Sequence, residues 1–379
     1  MATERIDAPT PTADASRLKV AMVVISGQYF GAEQVVRDLA SHLSALVPGV
    51  VTLICNSEIA ERYMDLAGVD VLDIGPLQLS APLRVRGPAM LRAAARLRQT
   101  LRQSHFDIFH LHLEGSILLA LLSGGLRRIP TMITLHGSEI RAYAEEQNWS
   151  YSLKRPAYSF AFSRAKMLVT PSTWQVADLS TRYRQKVVVV GHGVDRQRFR
   201  MTTPPRLSGP VLYVGRLIER KGADVALDAA KLLPDLDFWF VGDGELRDLV
   251  TGNNIRRFGF VEPSDVPGFY NDAMVCIFPS KWESYSCAGI EAMACGRPIV
   301  CTEKGFSEYA VDGVNALVIE PDPHELAHAI SRLHGDTRLL ESLSDEAMKT
   351  AMRRSWSIVA EQYIRLYLEI SESERGSAT

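Results

Sequence analysis

Short apolar runs rich in Val and Ile alternate with amphipathic stretches of helix length along almost the whole chain. This alternation is typical of repeated βαβ units, whose strands pair in parallel within one sheet. It predicts a first series of strands at Lys19–Ile25, Val51–Cys55, Asp107–His112, Thr131–Leu135, Met167–Thr170 and Val187–Val190. It predicts a second series at Val211–Val214, Asp237–Val241, Ile255–Phe258, Val275–Phe278, Ile299–Cys301 and Ala316–Ile319.

The two series predict two domains, and 379 residues are enough for both. We expect an N-terminal domain at 17–195, an irregular, proline-bearing linker at 196–210 and a second domain at 211–354. The helical pattern at 355–372 has one apolar stripe that could pack on either domain, and we assign it to the first. Disordered tails are expected at 1–16 and 373–379. Both domains are predicted to be doubly wound, so ligands should bind beyond the carboxyl ends of their strands, in a cleft between the facing domains.

Composition limits the classes of protein to which the chain can belong. No apolar run approaches the length of about 18 residues that a membrane span requires, and the leader lacks the apolar centre of a secretory signal. The five cysteines are odd in number and form no CxxC pair. These features favour a cytoplasmic protein with reduced thiols over one with disulfides or zinc.

Residues 84–102 are strongly basic, although the net charge of the whole chain is only −2. Arg92, Arg96, Arg98 and Arg102 fit the solvated side of a helix. They also fit a docking face for an anionic partner or a membrane surface, and we leave both interpretations open. No nucleic-acid partner is expected.

A basic loop follows the first strand of the second series. Arg216 and Lys221 lie between the end of that strand and a helix that begins near Ala223. Free N–H groups at a helix amino terminus favour anions, and two added cations suit a diphosphate. Such cations can neutralise charge on a departing nucleotide, a task often given to Mg²⁺. The alternative is an ordinary basic loop.

Two glutamates flank a turn of small residues later in the chain. Glu283 precedes a helix predicted at Cys287–Cys295, and Glu291 lies inside it. Small residues between them would let a phosphate approach the backbone. An ionised carboxylate only accepts hydrogen bonds, so each glutamate suits the vicinal hydroxyls of a ribose or a hexose. A solvated glutamate pair is the alternative.

Together, these segments resemble the retaining glycosyltransferases of family 4 (glycosyl transferases group 1), which have the GT-B architecture of two Rossmann-like domains. The resemblance covers most of the chain from Val20 to Tyr367. It depends on Gly215-Arg216, Lys221-Gly222, Gly242-Asp-Gly244, Phe258-Gly-Phe-Val261, Pro279-Ser280, the spacing of Glu283 and Glu291, Glu291-Ala-Met-Ala-Cys-Gly296 and Asp312-Gly313.

The resemblance implies a role for each matching residue. Arg216 and Lys221 would hold the donor pyrophosphate, Glu291 the ribose hydroxyls and Glu283 the transferred sugar. Further donor-binding positions are Gly31 beneath the donor, Arg257 and Phe260 beside the base, and Ser286, Cys287 and Ala288 at the phosphates. His136 would be the active-site histidine, and it follows an apolar strand, where function is expected. An isolated histidine is also compatible with a purely structural role.

Four positions depart from the family pattern. Phe30 and Lys304 each replace one glycine of a usual pair, Ser286 stands where glycine is common, and His192 stands where asparagine usually precedes Gly193. These departures leave the nucleotide site intact and bear on the identity of the donor sugar.

Two weaker motifs are candidate metal sites. His110 and His112 alternate along one strand and share a face, with Glu114 nearby, but no third histidine or cysteine is adjacent. Asp235-Leu-Asp237 mimics a metal-binding DxD motif, yet it precedes its strand instead of following it, which favours a turn. No metal and no cofactor are expected.

The sequence therefore predicts a retaining, metal-independent hexosyltransferase that uses a nucleotide-diphosphate sugar, with a UDP-sugar favoured. Its partners would be that donor and a hydroxyl acceptor, which could be a glycoside, a small aglycone or a lipid-linked sugar. Location is expected to be cytoplasmic, with peripheral contact to the inner membrane face left open. The alternatives are a nucleotide-sugar epimerase of the same architecture, a noncatalytic sugar-nucleotide sensor and a dinucleotide-dependent dehydrogenase. The dehydrogenase lacks support because Gly27-Gln-Tyr-Phe-Gly31 is not a GxGxxG sequence.

Overall fold

The structure is a computed structural model that describes residues 15–29, 31–137 and 149–377. The chain divides into two compact units. The first takes in Met1–Thr170, Gln175–Val190 and Val359–Thr379, and the second takes in Pro171–Trp174 and Gly191–Ile358. Each unit is built on one parallel sheet with helices, so the predicted α/β fold of two doubly wound domains is confirmed.

The first unit contains a seven-stranded parallel sheet. Its strands are β1 (Val20–Val24), β2 (Val51–Cys55), β3 (Asp70–Asp73), β4 (Ile108–His112), β5 (Thr131–Thr134), β6 (Met167–Thr170) and β7 (Val187–Val189). They lie in the order β3-β2-β1-β4-β5-β6-β7. The order reverses direction between β1 and β4, which is where ligands bind in sheets of this kind.

The helices between these strands are α1 (Gly31–Leu46), α2 (Ser57–Ala60), α3 (Leu83–Gln103), α4 (Leu113–Ser123), α5 (Trp149–Arg164), α6 (Trp174–Asp178) and α7 (Thr181–Arg184). Helix α3 packs on the core through apolar residues at helical spacing. These buried residues are Met90, Ala93, Ala94, Leu97 and Leu101. Full burial of one such leucine stabilises the fold by about 1.5–3 kcal/mol.

The opposite side of α3 carries its arginines. Arg92, Arg96, Arg98 and Arg102 are all exposed, which fits both a solvated helix face and a docking face. Two of them also fasten the helix to its neighbours. Arg96 donates to Ile74 O at 3.1 Å, and Arg98 donates from Nε to Ser123 O at 2.9 Å.

The second unit contains a six-stranded parallel sheet. Its strands are β8 (Val211–Val214), β9 (Phe238–Val241), β10 (Ile255–Gly259), β11 (Val275–Phe278), β12 (Ile299–Cys301) and β13 (Leu317–Val318), in the order β10-β9-β8-β11-β12-β13. Here the reversal falls between β8 and β11. The remaining helices are α8 (Ala223–Leu232), α9 (Val266–Asp272), α10 (Cys287–Ala294), α11 (Pro323–Gly335), α12 (Thr337–Met352) and α13 (Trp356–Ser377).

Helix α13 returns the chain to the first unit. Its predicted apolar stripe is confirmed, because Val359, Tyr363, Tyr367 and Ile370 are buried, and Leu366 is half-buried. From Val359 onward the helix belongs to the first unit. Residues 373–377 were expected in a disordered tail, and that expectation is wrong because α13 continues to Ser377.

One strand was missed by the sequence pattern. β3 reads Asp-Val-Leu-Asp and lies at the edge of the first sheet with both aspartates exposed, so it lacks the apolar run that marks a buried strand. The other twelve strands fall where they were expected, to within one residue at either end. All five cysteines are free thiols; four are buried, and Cys287 is half-buried.

No helix in the described part of the chain combines the length and apolar character that a bilayer-spanning segment needs. The leader up to residue 14, Phe30, residues 138–148 and residues 378–379 lie outside the described residues.

Candidate functional site

The second unit gathers several predicted residues where its strand order reverses. Arg216 and Lys221 follow β8, and Glu283 follows β11, the neighbouring strand. Because the strands are parallel, both loops leave the same edge of the sheet. The loops also contact each other directly, since Lys281 N donates to Arg220 O at 3.0 Å. The loops that carry Arg216, Lys221 and Glu283 are therefore in direct contact within this unit.

Gly222 explains how closely the two loops can approach. Its φ is 70°, in the left-handed region, and a Cβ there would collide with the carbonyl of Pro279. Only glycine fits a backbone with this conformation and this neighbour. Lys221, the preceding residue, is thereby fixed beside the loop that carries Glu283.

Lys221 and Glu283 form an ion pair between Nζ and Oε1. The Glu283 side chain is buried, and Ser280 Oγ lies 3.4 Å from the same carboxylate oxygen. Gly305 makes room for it, because a Cβ at that position would collide with Glu283 Cβ. A buried charge of this kind is tolerated when it is paired. The structure thus joins two residues that the resemblance assigns to different parts of the donor.

Helix α10 presents its amino terminus at the same edge of the sheet. Ser286 is its N-cap, and its Oγ accepts a hydrogen bond from Gly289 N at 3.4 Å. Tyr309 fixes the cap by donating to Ser286 O at 2.6 Å. Cys287 and Ala288, the first two residues of the helix, are only half-buried. The partial positive charge of a helix amino terminus favours an anion here.

Glu291 lies one turn into α10. Tyr270 Oη lies 3.3 Å from Glu291 Oε2 and 3.2 Å from Ala288 O. Burial, together with the adjacent carboxylate, raises the pKa of Tyr270 well above its usual value, so the phenol stays protonated and acts as a donor. This contact orients the Glu291 carboxylate while leaving it acceptor capacity.

Of the two residues expected beside the base, Arg257 lies within β10 and Phe260 directly follows it. Phe260 follows Gly259 and is 70% exposed, a large apolar side chain left uncovered. Arg257 donates to Arg247 O and lies 3.6 Å from Asp248 Oδ1. The structure gives Arg257 these protein partners, and its contact with a base stays a prediction.

Gly242 and Gly244 have a structural explanation. A Cβ at Gly242 would collide with Gly215 O, and one at Gly244 would lie 2.5 Å from Leu217 O. These glycines therefore allow the loops after β8 and β9 to pack together. They need no dinucleotide to account for them, which counts against the dehydrogenase interpretation.

In the first unit, His136 lies two residues beyond β5, and His112 ends the adjacent strand β4. His112 Nδ1 and His136 Nε2 are 3.0 Å apart, so one ring nitrogen donates and the other accepts. Burial lowers the pKa of His136 to about 4, which keeps its ring neutral near pH 7. His112, which the sequence marks only as a candidate zinc ligand, is therefore the partner of the predicted active-site histidine.

His110 lies two residues before His112 on the same strand, β4, and is fully buried. Its Nδ1 is 2.7 Å from Tyr367 Oη, and its Nε2 is 2.7 Å from Thr134 Oγ1. Both ring nitrogens are thus engaged by hydroxyls, which removes His110 as a metal ligand. Among the described residues no group of three or more His, Cys, Asp or Glu side chains is placed to hold a metal ion.

Gly31 opens helix α1, and a Cβ there would meet no atom within 4 Å. Gly31 and His136 belong to the first unit, and the other predicted site residues belong to the second.

Leu113, the residue after His112, has an unusual backbone because its φ of 66° is rare for a leucine. No pattern of composition or periodicity in the sequence indicates this strained junction.

Comparisons with known proteins agree with this organisation. The family described as "Glycosyltransferase Family 4" matches residues 30–198, and "Glycosyl transferases group 1" matches residues 209–336. The chain is 28% identical over 302 residues to the phosphatidyl-myo-inositol mannosyltransferase of Mycobacterium tuberculosis, covering 73% of this chain and 78% of that protein.

Solved structures show the same fold. The sucrose-phosphate synthase of Thermosynechococcus elongatus matches with a TM-score of 0.77 at 18% identity, over 94% of this chain and all of that one. HepE of Anabaena, solved in complex with UDP and glucose, matches with a TM-score of 0.72 at 19% identity, over 93% of this chain and all of that one. These likenesses establish the GT-B fold.

Proposed function

Because this chain belongs to the family 4 (group 1) glycosyltransferases, we propose that it transfers a sugar from a UDP-sugar to a hydroxyl acceptor, with retention of configuration and without a metal ion. The observation that carries the proposal is the placement of Arg216, Lys221 and Glu283 on two touching loops where the second sheet reverses. That placement supports a site for a sugar diphosphate.

In the proposed reaction, the bond between the anomeric carbon and the diphosphate oxygen breaks as the acceptor oxygen bonds to that carbon from the same face. The acceptor proton passes to the departing diphosphate, and the nucleoside diphosphate leaves. Arg216 and Lys221 stabilise the negative charge that develops on the leaving group. Glu283 is already paired with Lys221, which suits holding a sugar hydroxyl better than attacking the anomeric carbon.

The described geometry of the second unit supports proposals for the remaining donor contacts. The Glu291 carboxylate, oriented by Tyr270, accepts hydrogen bonds from the ribose hydroxyls. Amides at the start of α10 bind phosphate oxygens, and exposed Phe260 packs beside the base. HepE was solved with UDP, which supports a UDP-sugar over other donors for this chain.

His136 acts in this proposal as a neutral hydrogen-bonding group to the transferred sugar. Its low pKa excludes an imidazolium near pH 7, so it contributes orientation instead of positive charge. His112 fixes its ring through the 3.0 Å contact.

Substitution of Lys221 tests the function. Lys221→Ala should lower kcat about 10²–10³-fold, the usual cost of removing one group that stabilises transition-state charge. Lys231→Ala removes an exposed lysine of the same unit and should leave kcat unchanged. Unfolding of each variant is measured in parallel, because loss of the Lys221–Glu283 pair also affects stability. Near wild-type turnover by a folded Lys221→Ala variant would refute the proposed role.

A thermal-shift panel of UDP-, GDP-, ADP- and dTDP-sugars tests the donor. The UDP-sugar should raise the melting temperature most, because ligand binding stabilises the folded state by mass action. A larger shift with another base would overturn the UDP assignment. Nucleotide release should require added acceptor, and release without it, accompanied by an inverted sugar centre, would identify an epimerase.

A further inference from the structure

We propose that the first unit binds the hydrocarbon part of an amphiphilic acceptor in a groove bounded by α3, α4 and α5. The proposal rests on the glycosyltransferase function and names the class of acceptor. The groove has a volume of about 790 Å³. That volume lies within the range of roughly 300–1,000 Å³ found for small-molecule sites.

Aliphatic side chains form most of the groove. The aliphatic lining comes from α3, from α4 and from the loop that precedes α3. It includes Leu79, Met90, Leu91, Ile117, Leu118 and Leu122. Among the described lining residues only Tyr158 is aromatic. Ring-shaped ligands are commonly held by stacked aromatic side chains. An aliphatic lining therefore favours a flexible hydrocarbon chain.

Several of these leucines are exposed to water. Leu91 is 62% exposed on α3, and Leu118 and Leu122 are 45% and 39% exposed on α4. Leu118 and Leu122 are four residues apart and so share one face of their helix. Folded monomers seldom leave contiguous apolar surface uncovered unless it binds something. Covering this surface with hydrocarbon gains free energy that no polar acceptor would supply.

Polar groups lie at one end of the groove. Ser26 and Gly27 follow β1, and Glu114 follows β4, so this end lies at the carboxyl edge where the first sheet reverses. Glu114 Oε2 pairs with Lys154 Nζ at 2.8 Å. Glu114 is also two residues from His112, the partner of His136. The hydroxyl-bearing head of an acceptor placed here would lie beside the proposed catalytic edge.

The backbone at this junction is built for close packing. Gly115 lets α4 begin against the end of β1, since a Cβ there would lie 2.6 Å from Ile25 Cγ2. Leu113 lines the groove with its φ of 66°. Strained residues of this kind persist where the surroundings over-determine them, commonly at ligand sites.

The positive charge of α3 favours one kind of polar head on the acceptor. The helix carries six arginines and no acidic residue, and Arg86 lines the groove. A negatively charged group near the head would therefore be attracted to this helix. The structure assigns the acceptor to amphiphiles that combine an aliphatic chain with a polar, preferably anionic, hydroxyl-bearing head.

Binding of dodecyl glucoside below its micelle concentration tests the groove, with methyl glucoside as the matched head without a chain. Dodecyl glucoside should bind at least tenfold more tightly, since each buried methylene adds to affinity. Leu118→Gln should weaken that binding by about tenfold, and Leu91→Gln should act similarly. Both leucines are exposed, so neither substitution should disturb folding. Leu249→Gln, which changes a 62% exposed leucine of the second unit, should have no effect.

The outcomes separate this proposal from the proposed function. Equal binding of the two glucosides, in a protein that still consumes the UDP-sugar, would overturn the groove and leave the transferase intact. Chain-dependent binding without turnover of any donor would support the groove and refute the transferase. Binding to anionic vesicles that Leu118→Gln leaves unchanged, without binding of dodecyl glucoside, would identify a membrane-docking face and overturn the proposal.

Discussion

His110 is a buried base that the fold holds without charge. Its two ring nitrogens meet the hydroxyls of Tyr367 and Thr134, and it is 0% exposed. Burial lowers its pKa from 6.5 to about 3. Hydroxyl partners can satisfy a neutral ring, but they cannot replace the hydration of an imidazolium.

This depressed pKa makes stability depend on pH. Between about pH 6.5 and 3 the unfolded chain binds a proton at His110 that the native state does not, so stability falls as the pH falls through this window. From pH 7 to pH 5 the loss from His110 alone should be about 2 kcal/mol. In His110→Asn, urea unfolding should show a smaller loss over the same interval by about that amount. His328→Asn, which changes an exposed histidine on α11, should keep the wild-type dependence.

Glu291 is the residue on which nucleotide affinity should depend most directly. Glu291→Ala should weaken UDP binding roughly 10- to 100-fold, the cost of about 1.5–3 kcal/mol for hydrogen bonds to a charged group. Calorimetric titration with UDP measures this, and kcat at saturating donor should change far less. Glu341→Ala, at an exposed position of α12, is the control. Unchanged UDP affinity in Glu291→Ala would remove the ribose assignment.

At this scale the sequence singles out candidate residues but does not reveal their contact partners. Motif spacing marked Lys221 and Glu283 but did not reveal that they pair, because that contact depends on how the loops after β8 and β11 approach. Likewise, alternation placed His112 on a face with His110, while its contact with His136 depends on strand order. Neighbouring strands in space need not be neighbours in sequence, and a pattern along the chain does not contain that information.

At the scale of elements, the junction between β8 and α8 is the most constrained feature of the second unit. Gly222 has a φ of 70° and touches the Pro279 carbonyl, so it determines how the two site loops fit together. Gly222→Ala should reduce the free energy of unfolding by roughly 2–5 kcal/mol, combining left-handed strain with overpacking. Chemical denaturation measures this loss.

A second glycine supplies the control. Gly268 lies inside α9, and a Cβ there would meet nothing within 4 Å. Gly268→Ala should be neutral or stabilising by up to about 1 kcal/mol, because alanine favours a helix. Equal losses in Gly222→Ala and Gly268→Ala would contradict the steric explanation.

The positions of the strands along the chain were the most predictable feature of this protein. Short apolar runs rich in Val and Ile located the central strands because those strands are buried on both faces and must be apolar throughout. β3 was missed because an edge strand needs no such run, and its sequence Asp-Val-Leu-Asp contains none. The extension of α13 to Ser377 was also missed, since its last turns are polar and carry no stripe.

For the whole molecule, α13 links the stability of the first unit to residues that follow the second. Tyr367 is fully buried in the first unit and bonds to His110. Tyr367→Ala should cost roughly 3–5 kcal/mol, the usual loss for truncating a large buried aromatic residue. In calorimetry the transition that UDP does not shift should move to lower temperature, while UDP affinity persists. Arg365→Ala, at an exposed position on the same helix, is the control.

The first unit is discontinuous in the chain, and this affects the order in which the protein can be made. While a ribosome is still translating the second unit, the sheet that carries His110 lacks the tyrosines that will later cover it. The half of the protein that is synthesised first is thus the last to be finished. Until Tyr363 and Tyr367 emerge from the ribosome, that surface of the nascent chain is open to aggregation with other chains. A chaperone that shields the nascent N-terminal half should therefore raise the yield of folded protein.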